Sequence, residues 1–244
     1  MGINGIRPGW PAPDRVHALV TTREGGVSEA PYDSLNLGVH VGDDPARVAE
    51  NRRRLQALLP AEPCWLNQVH GTTVLDADTW SGGLMDADAV VSRRAGCVCA
   101  VMTADCLPVL LCDVAGSVVA AAHAGWRGLH GGVVDATVAA MDVAPSSLVA
   151  WLGPAIGPDA FEVGEEVRQA FMSHAPQAVR AFRAAATPGK WMADLYALAR
   201  LRLAALGVAR VYGGEFCTHA DATRFFSYRR DGVTGRMASL IWLD

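Results

Sequence analysis

The amino-acid sequence predicts a layered α+β fold with mixed β-sheets. Short apolar runs of strand length crowd residues 74–123, helical stripes lie on both sides of them, and strand and helix do not alternate regularly enough for a doubly wound sheet. Of 244 residues, 51% are hydrophobic and 19% charged, enough apolar material for a large core and too little charge for a disordered chain. Neither an internal repeat nor a low-complexity linker divides the sequence, so one domain over 1–244 is expected.

Asp44-Pro45 opens a helix, with Asp as N-cap and Pro at the first helical position; Val48, Leu55 and Leu59 form its apolar stripe, and Pro60 ends it. Strands are expected at Val74–Leu75, Ala89–Ser92, Val98–Met102, Pro108–Cys112 and Val118–His123, separated by Gly or Asp. A glycine-rich turn, Ala124-Gly125-Trp126-Arg127-Gly128, then leads to a helix from Val133 to Met141. Val149–Leu152 reads as a buried strand followed by Gly-Pro turns. Val163, Val167 and Phe171 recur every four residues as a helical face, and Leu195, Leu198 and Leu206 mark a helix stopped by Gly207. Closing strands are expected at Arg210–Tyr212, Phe225–Tyr228 and Ser239–Trp242.

Charge and targeting signals narrow the function. Twenty-one basic against 25 acidic residues leave a net charge of −4, which disfavours a nucleic-acid partner and permits small anionic substrates. The first twenty residues lack the apolar stretch of a secretory signal, and the run from Val98 to Leu111 is broken by Asp105 and Pro108, so a cytoplasmic protein with no membrane span is expected. Six cysteines in apolar surroundings read as reduced thiols. No obligate protein partner is evident.

The chemistry concentrates at three strand ends: Gln68-Val69-His70-Gly71, Ala104-Asp105-Cys106-Leu107 and Ala122-His123-Ala124-Gly125. His70, Cys106 and His123 make a Cys/His2 set of the kind that holds a catalytic zinc with one position open. The bland alternative for each is a buried small thiol or a hydrogen-bonded structural histidine. Cys64, Cys97, Cys99, Cys112 and Cys217 read as structural. Asp105 inside an apolar run needs partners, as a turn capper or as an orienting group for a histidine or substrate. Without a metal, Cys106 beside a histidine would be an activated thiolate, so two mechanisms stay open.

Arginines form a second set. Arg23, Arg127 and Arg229 stand next to glycines or aromatic residues, where a guanidinium fork suits phosphate or carboxylate. Arg230 and Arg236 read as solvent-facing. Trp126, Phe226 and Tyr228 could stack on a flat base, although aromatic residues at strand spacing more often serve a core.

The strings TTREGGVS, PYDSLNLG, NQVHG, DADAVVS, TADCLPVLL, AAHAGWRG, GPAIGPDAFEVGEEV and FFSYRRDGVTGRMASLIWL, in this order from Thr21 to the C-terminus, resemble the YfiH-like laccase-domain family, also called polyphenol oxidase or multifunctional purine nucleoside phosphorylase. The resemblance implies an α/β/β/α layered sandwich whose core is similar to toxin-type cysteine hydrolases. It implies a zinc site at His70, Cys106 and His123, with Arg23 near the substrate. It also implies phosphorolysis of adenosine, inosine and methylthioadenosine with phosphate as co-substrate, and deamination of adenosine.

Two other activities compete. A multicopper oxidase needs about ten histidines in paired motifs, whereas this chain has seven and no His-x-His; only weak phenol oxidation by copper at the Cys/His site would remain. A Cys- or zinc-dependent amidase that edits peptidoglycan precursors is the second enzyme reading, and a non-catalytic domain the third.

Overall fold

The computed structural model describes residues 2–244. In chain order the elements are β1 (Gly5–Ile6), β2 (Val16–Thr21), α1 (Pro45–Gln56), β3 (Val74–Asp76), β4 (Ala89–Ser92), β5 (Cys99–Thr103), β6 (Leu107–Asp113), β7 (Val119–Ala124), α2 (Trp126–Gly131) and α3 (Val133–Ala140). There follow β8 (Leu148–Leu152), β9 (Glu162–Gly164), α4 (Glu165–His174), β10 (Phe182–Ala184), β11 (Lys190–Ala193), α5 (Leu195–Ala205), β12 (Arg210–Gly213), α6 (Tyr228–Asp231) and β13 (Met237–Leu243).

Period-two alternation sorts the strands into layers. In the six-stranded sheet β12-β8-β6-β7-β4-β3, Val109, Leu111, Ala120, Ala122 and Ala150 face the helices. Their neighbours Leu110, Cys112, Val119, Ala121, Val149 and Trp151 face a second sheet, where they meet Val20, Val101 and Ile241. That second sheet has the order β1-β2-β13-β5 and turns Leu19, Ala100, Met102 and Leu240 outward onto Leu55 of α1. The result is four layers, α1, sheet, sheet, and α2 to α5, in agreement with the expected mixed α+β sandwich. Both faces of the large sheet's central strands β4, β6, β7 and β8 are dry, which is why they read as near-continuous apolar runs. Each fully buried Leu there stabilises by about 1.5–3 kcal/mol. The large sheet is mixed: β12 runs parallel to β8 and β3 parallel to β4, while the central pairs are antiparallel. A small sheet β10-β11-β9 is hydrogen-bonded to neither, and its Val163, Phe182 and Ala193 join the core beneath the large sheet.

Several expectations are corrected. The helix opened by Asp44, whose carboxylate accepts from Ala46 N at 2.8 Å, stops at Gln56 and not Leu59, because Leu58 N and Leu59 N bond three residues back and tighten the last turn. The glycine turn after His123 is itself the short helix α2, ended where Gly132 takes φ +102°. Val163 does not join the α4 face: it lies in β9, opposite Trp191. Phe225–Tyr228 forms no strand; Phe225 and Phe226 are fully buried against Ala104 and Met237, and the Ser227 hydroxyl caps α6. β2 and the short β9, β10 and β11 were not expected. No helix is long and apolar enough to cross a membrane.

Candidate active site

The donor-bearing segments all meet at one end of the large sheet. Cys106 immediately precedes β6, His123 is the penultimate residue of β7, and the pairing of Leu107 with Ala124 and Pro108 with His123 sets them side by side. His70 comes from the loop before β3. The ligand atoms of His70, Cys106 and His123 lie within 4.8 Å of one another, the only such group of three among the described residues. Cys106 Sγ is 3.7 Å from His70 Nε2, and the two imidazoles meet edge to face with centroids 4.8 Å apart. Tetrahedral zinc with bonds of about 2.0–2.3 Å puts its ligand atoms about 3.5 Å apart, so the donor types suit such an ion and the Cys106–His70 pair is near that spacing, while the widest pair would close by about an ångström.

Asp88, which the sequence reading did not single out, organises this cluster. Its carboxylate is fully buried just ahead of β4. Oδ1 accepts from His123 Nδ1 at 2.8 Å and from His70 N at 2.9 Å; Oδ2 accepts from Gly71 N at 2.6 Å and Val69 N at 3.2 Å. Three successive N–H groups thus form a nest around one carboxylate. That nest holds His70 at φ +59°, a backbone state that non-glycine residues adopt only at a cost. With its Nδ1 occupied, His123 turns Nε2 toward the cluster, the arrangement by which a carboxylate orients a metal-binding imidazole. The sequence signal was available: an acid directly before the apolar run Ala89-Val90-Val91 in DADAVVS.

Gly125 makes the close approach feasible, since a Cβ there would stand 2.8 Å from Cys106 Sγ and 3.1 Å from His70 Cδ2. Burial pushes the Cys106 thiol up, but the His123 charge and the hydrogen bonds from His123 and His70 outweigh it and bring its pKa down to about 6. Burial likewise pushes His123 down, while Cys106 and Asp88 raise it to about 9. Each group thus favours the charged form of the other.

The cluster opens into a cavity of about 500 Å³, the size of a small-molecule site. Its walls include Trp126, Phe161 and Tyr228, together with Arg127, Arg229 and Arg236. Asp105 also lines it, at φ +91°, but touches neither histidine. Its Oδ1 accepts from Thr218 Oγ1 and its Oδ2 from Arg229 N, each at 2.6 Å, so it ties two loops together. Arg23 lies outside this cavity: its guanidinium donates to Asp33 O and Ala222 O, pairs with the Asp33 carboxylate and covers the Phe226 ring. Phe226 is core and offers no stacking face to a ligand. Arg230 does not point to solvent, since it donates to Thr218 O, His219 O and Phe225 O. Arg236 is half-buried in the cavity wall.

Residues 17–244 match the model of the family described as multi-copper polyphenol oxidoreductase laccase. The chain belongs to this laccase-domain family. A Pseudomonas aeruginosa relative named purine nucleoside phosphorylase PA4543 is 59% identical over 98% of both chains, and Escherichia coli purine nucleoside phosphorylase YfiH is 56% identical over 98% of both. Among solved structures, the Neisseria meningitidis protein NMB0706 superposes with a TM-score of 0.95 at 57% identity, covering 99% of each chain. YlmD from Geobacillus stearothermophilus gives 0.90 at 34% identity, over 98% of this chain and 96% of that one. The laccase-domain description mentions several coppers, whereas one three-donor group is found among the described residues. The relatives' names favour neither the amidase nor the polyphenol oxidase expectation.

Proposed function

We propose that this laccase-domain protein is a purine nucleoside phosphorylase that also deaminates adenosine, with zinc held by His70, Cys106 and His123. The observation that carries the reading is a Cys/His2 donor set opening into a nucleoside-sized cavity that carries arginines without carboxylate partners. The names of the relatives support the phosphorylase half. When bound, zinc supplies Lewis acidity to a departing purine or to an attacking water.

The chain's own residues do the rest. In phosphorolysis a phosphate oxygen bonds to the anomeric carbon as the carbon–nitrogen bond breaks and its electron pair leaves with the purine. Arg127 and Arg229 hold the phosphate against the cationic ribosyl centre. Trp126 and Tyr228 flank the flat base, and Ile156 and Phe161 keep water out. Asp88 fixes His123 and His70 in position. Unpaired cysteines suit a reducing compartment, in keeping with a cytoplasmic enzyme.

The test measures metal content and phosphate-dependent release of hypoxanthine from inosine, together with conversion of adenosine to inosine, in the wild type and in Cys106→Ala and His123→Ala. Both variants are expected to lose bound zinc and at least about 100-fold of both activities. Base release that persists in both variants would reject the site.

A further inference from the structure

The sequence motif PYDSLNLG and the segment VTGRMASL have no role in the chemistry described so far, yet they converge on one side chain. Asn36 is fully buried, and its Oδ1 accepts from both Arg236 N and Gly38 N at 2.9 Å. Its Nδ2 donates to Gly38 O at 3.2 Å and to Asp43 Oδ2 at 2.9 Å. Leu37 N donates to Arg236 O at 3.2 Å, so both backbone groups of residue 236 are pinned. Gly38 provides the space for the side chain: a Cβ at that position would lie 2.8 Å from Arg236 Cγ and 3.3 Å from its Cβ. A surface arginine does not call for such a frame.

The guanidinium that this frame presents lacks a counter-charge. Nη1 donates to Thr234 O and Gly235 O, each at 3.0 Å, and among the described residues Nε and Nη2 have no acceptor. That free edge, two parallel N–H groups, is the one that matches an oxyanion. Burial disfavours the Arg236 charge, while the negative charges of Cys106 and Asp105 favour it, which ties it electrostatically to the Cys106 side of the cavity. Arg127 and Arg229, at the exposed rim, lie over the rings of Trp126 and Phe161 and also lack carboxylate partners. Asp105, the one acidic residue of the wall, has both oxygens engaged. A chain of net charge −4 thus keeps a cationic patch inside its cavity, where low-dielectric walls concentrate anions.

We propose that Arg236, seated by Asn36 and Gly38, is the principal binding residue for inorganic phosphate in this cavity, with Arg127 and Arg229 completing the subsite at its rim. The assignment rests on the phosphorylase reading above and adds to it the residue that sets phosphate affinity.

The experiment varies phosphate and inosine separately in steady-state base release by the zinc-loaded full chain, comparing wild type with Arg236→Met, Arg236→Lys and Gly38→Ala. Loss of a bidentate charged contact raises the phosphate KM by about 10–100-fold in Arg236→Met, with the inosine KM unchanged. Arg236→Lys, which keeps the charge and loses the fork, falls between. Gly38→Ala, which displaces the arginine stem and removes no charge, shifts in the same direction as Arg236→Met. An unchanged phosphate KM in Arg236→Met, or a rise confined to the inosine KM, overturns the assignment. Should Arg236→Met fail to fold by circular dichroism, the Lys and Ala variants decide on the same criteria. Should the wild type release no base with phosphate, the phosphorylase reading fails by itself. Phosphorus-31 line broadening of inorganic phosphate then tests the anion site alone: broadening lost in Arg236→Met upholds it, and equal broadening overturns it.

Discussion

Replacing Asp88 by Asn keeps the size and removes one carboxylate oxygen, and the four hydrogen bonds at that carboxylate set the consequence. On the Oδ2 side the new amide nitrogen faces Val69 N and Gly71 N and takes the acceptor from both; on the Oδ1 side it faces His70 N and forces His123 to present an unprotonated Nδ1. With each buried unsatisfied donor costing about 1–3 kcal/mol and the His123 charge left without its partner, the variant is expected to lose about 3–5 kcal/mol of stability. Zinc affinity falls by about 10–100-fold, because His123 and the His70 loop are no longer oriented.

A third readout isolates the electrostatics. In metal-free wild type, the rate of Cys106 alkylation by iodoacetamide, followed on the Cys106 peptide by mass spectrometry, rises through about pH 6, where the thiolate forms, and then levels off. His123 stays protonated to about pH 9, partly because Asp88 favours its charged form. Removing that carboxylate lowers the His123 pKa, weakens the imidazolium that holds the thiolate, and moves the alkylation midpoint upward. A variant with wild-type denaturation midpoint, zinc affinity and alkylation profile would refute the role given to Asp88.

Two further perturbations test neighbouring parts of the frame. Gly125→Ala puts a methyl group 2.8 Å from Cys106 Sγ; with a donor misplaced by about an ångström, base release is expected to drop by about 100-fold in a protein that still folds, and unchanged kinetics would show that the loop yields. Thr218→Val leaves Asp105 Oδ1 without its donor, which costs about 1–3 kcal/mol in urea denaturation with an unchanged slope; a midpoint equal to wild type would mean that solvent replaces the hydroxyl.

Much of the layered fold was legible because strands buried on both faces read as near-continuous apolar runs, and β4, β6, β7 and β8 do, broken only near their ends by Ser92, Asp113 and His123. The short sheet β10-β11-β9 was not, since Arg183, Ala184 and Lys190 are exposed and leave no apolar period to read. Phe225–Phe226 misled because aromatic residues that fill a corner of the core look like a strand when only spacing is considered. In the site, residue chemistry picked out His70, Cys106 and His123, and topology brought them together. Arg23 was misplaced because a guanidinium beside glycines signals anion affinity only while its donors are free, and here they bond to Asp33 and Ala222. Asp88 went unnoticed, and Arg236 was read as solvent-facing, for the complementary reason: their partners come from distant segments that no local pattern reveals.

The order β1-β2-β13-β5 carries a consequence for synthesis. β13 follows every other strand in the sequence, yet it lies between β2 and β5 and pairs with both. While the nascent chain emerges from the ribosome, those two strands each present an unpaired edge, the situation in which neighbouring chains pair wrongly. The same late segment brings Arg236, so translation delivers the last sheet partner and the last cation of the cavity together.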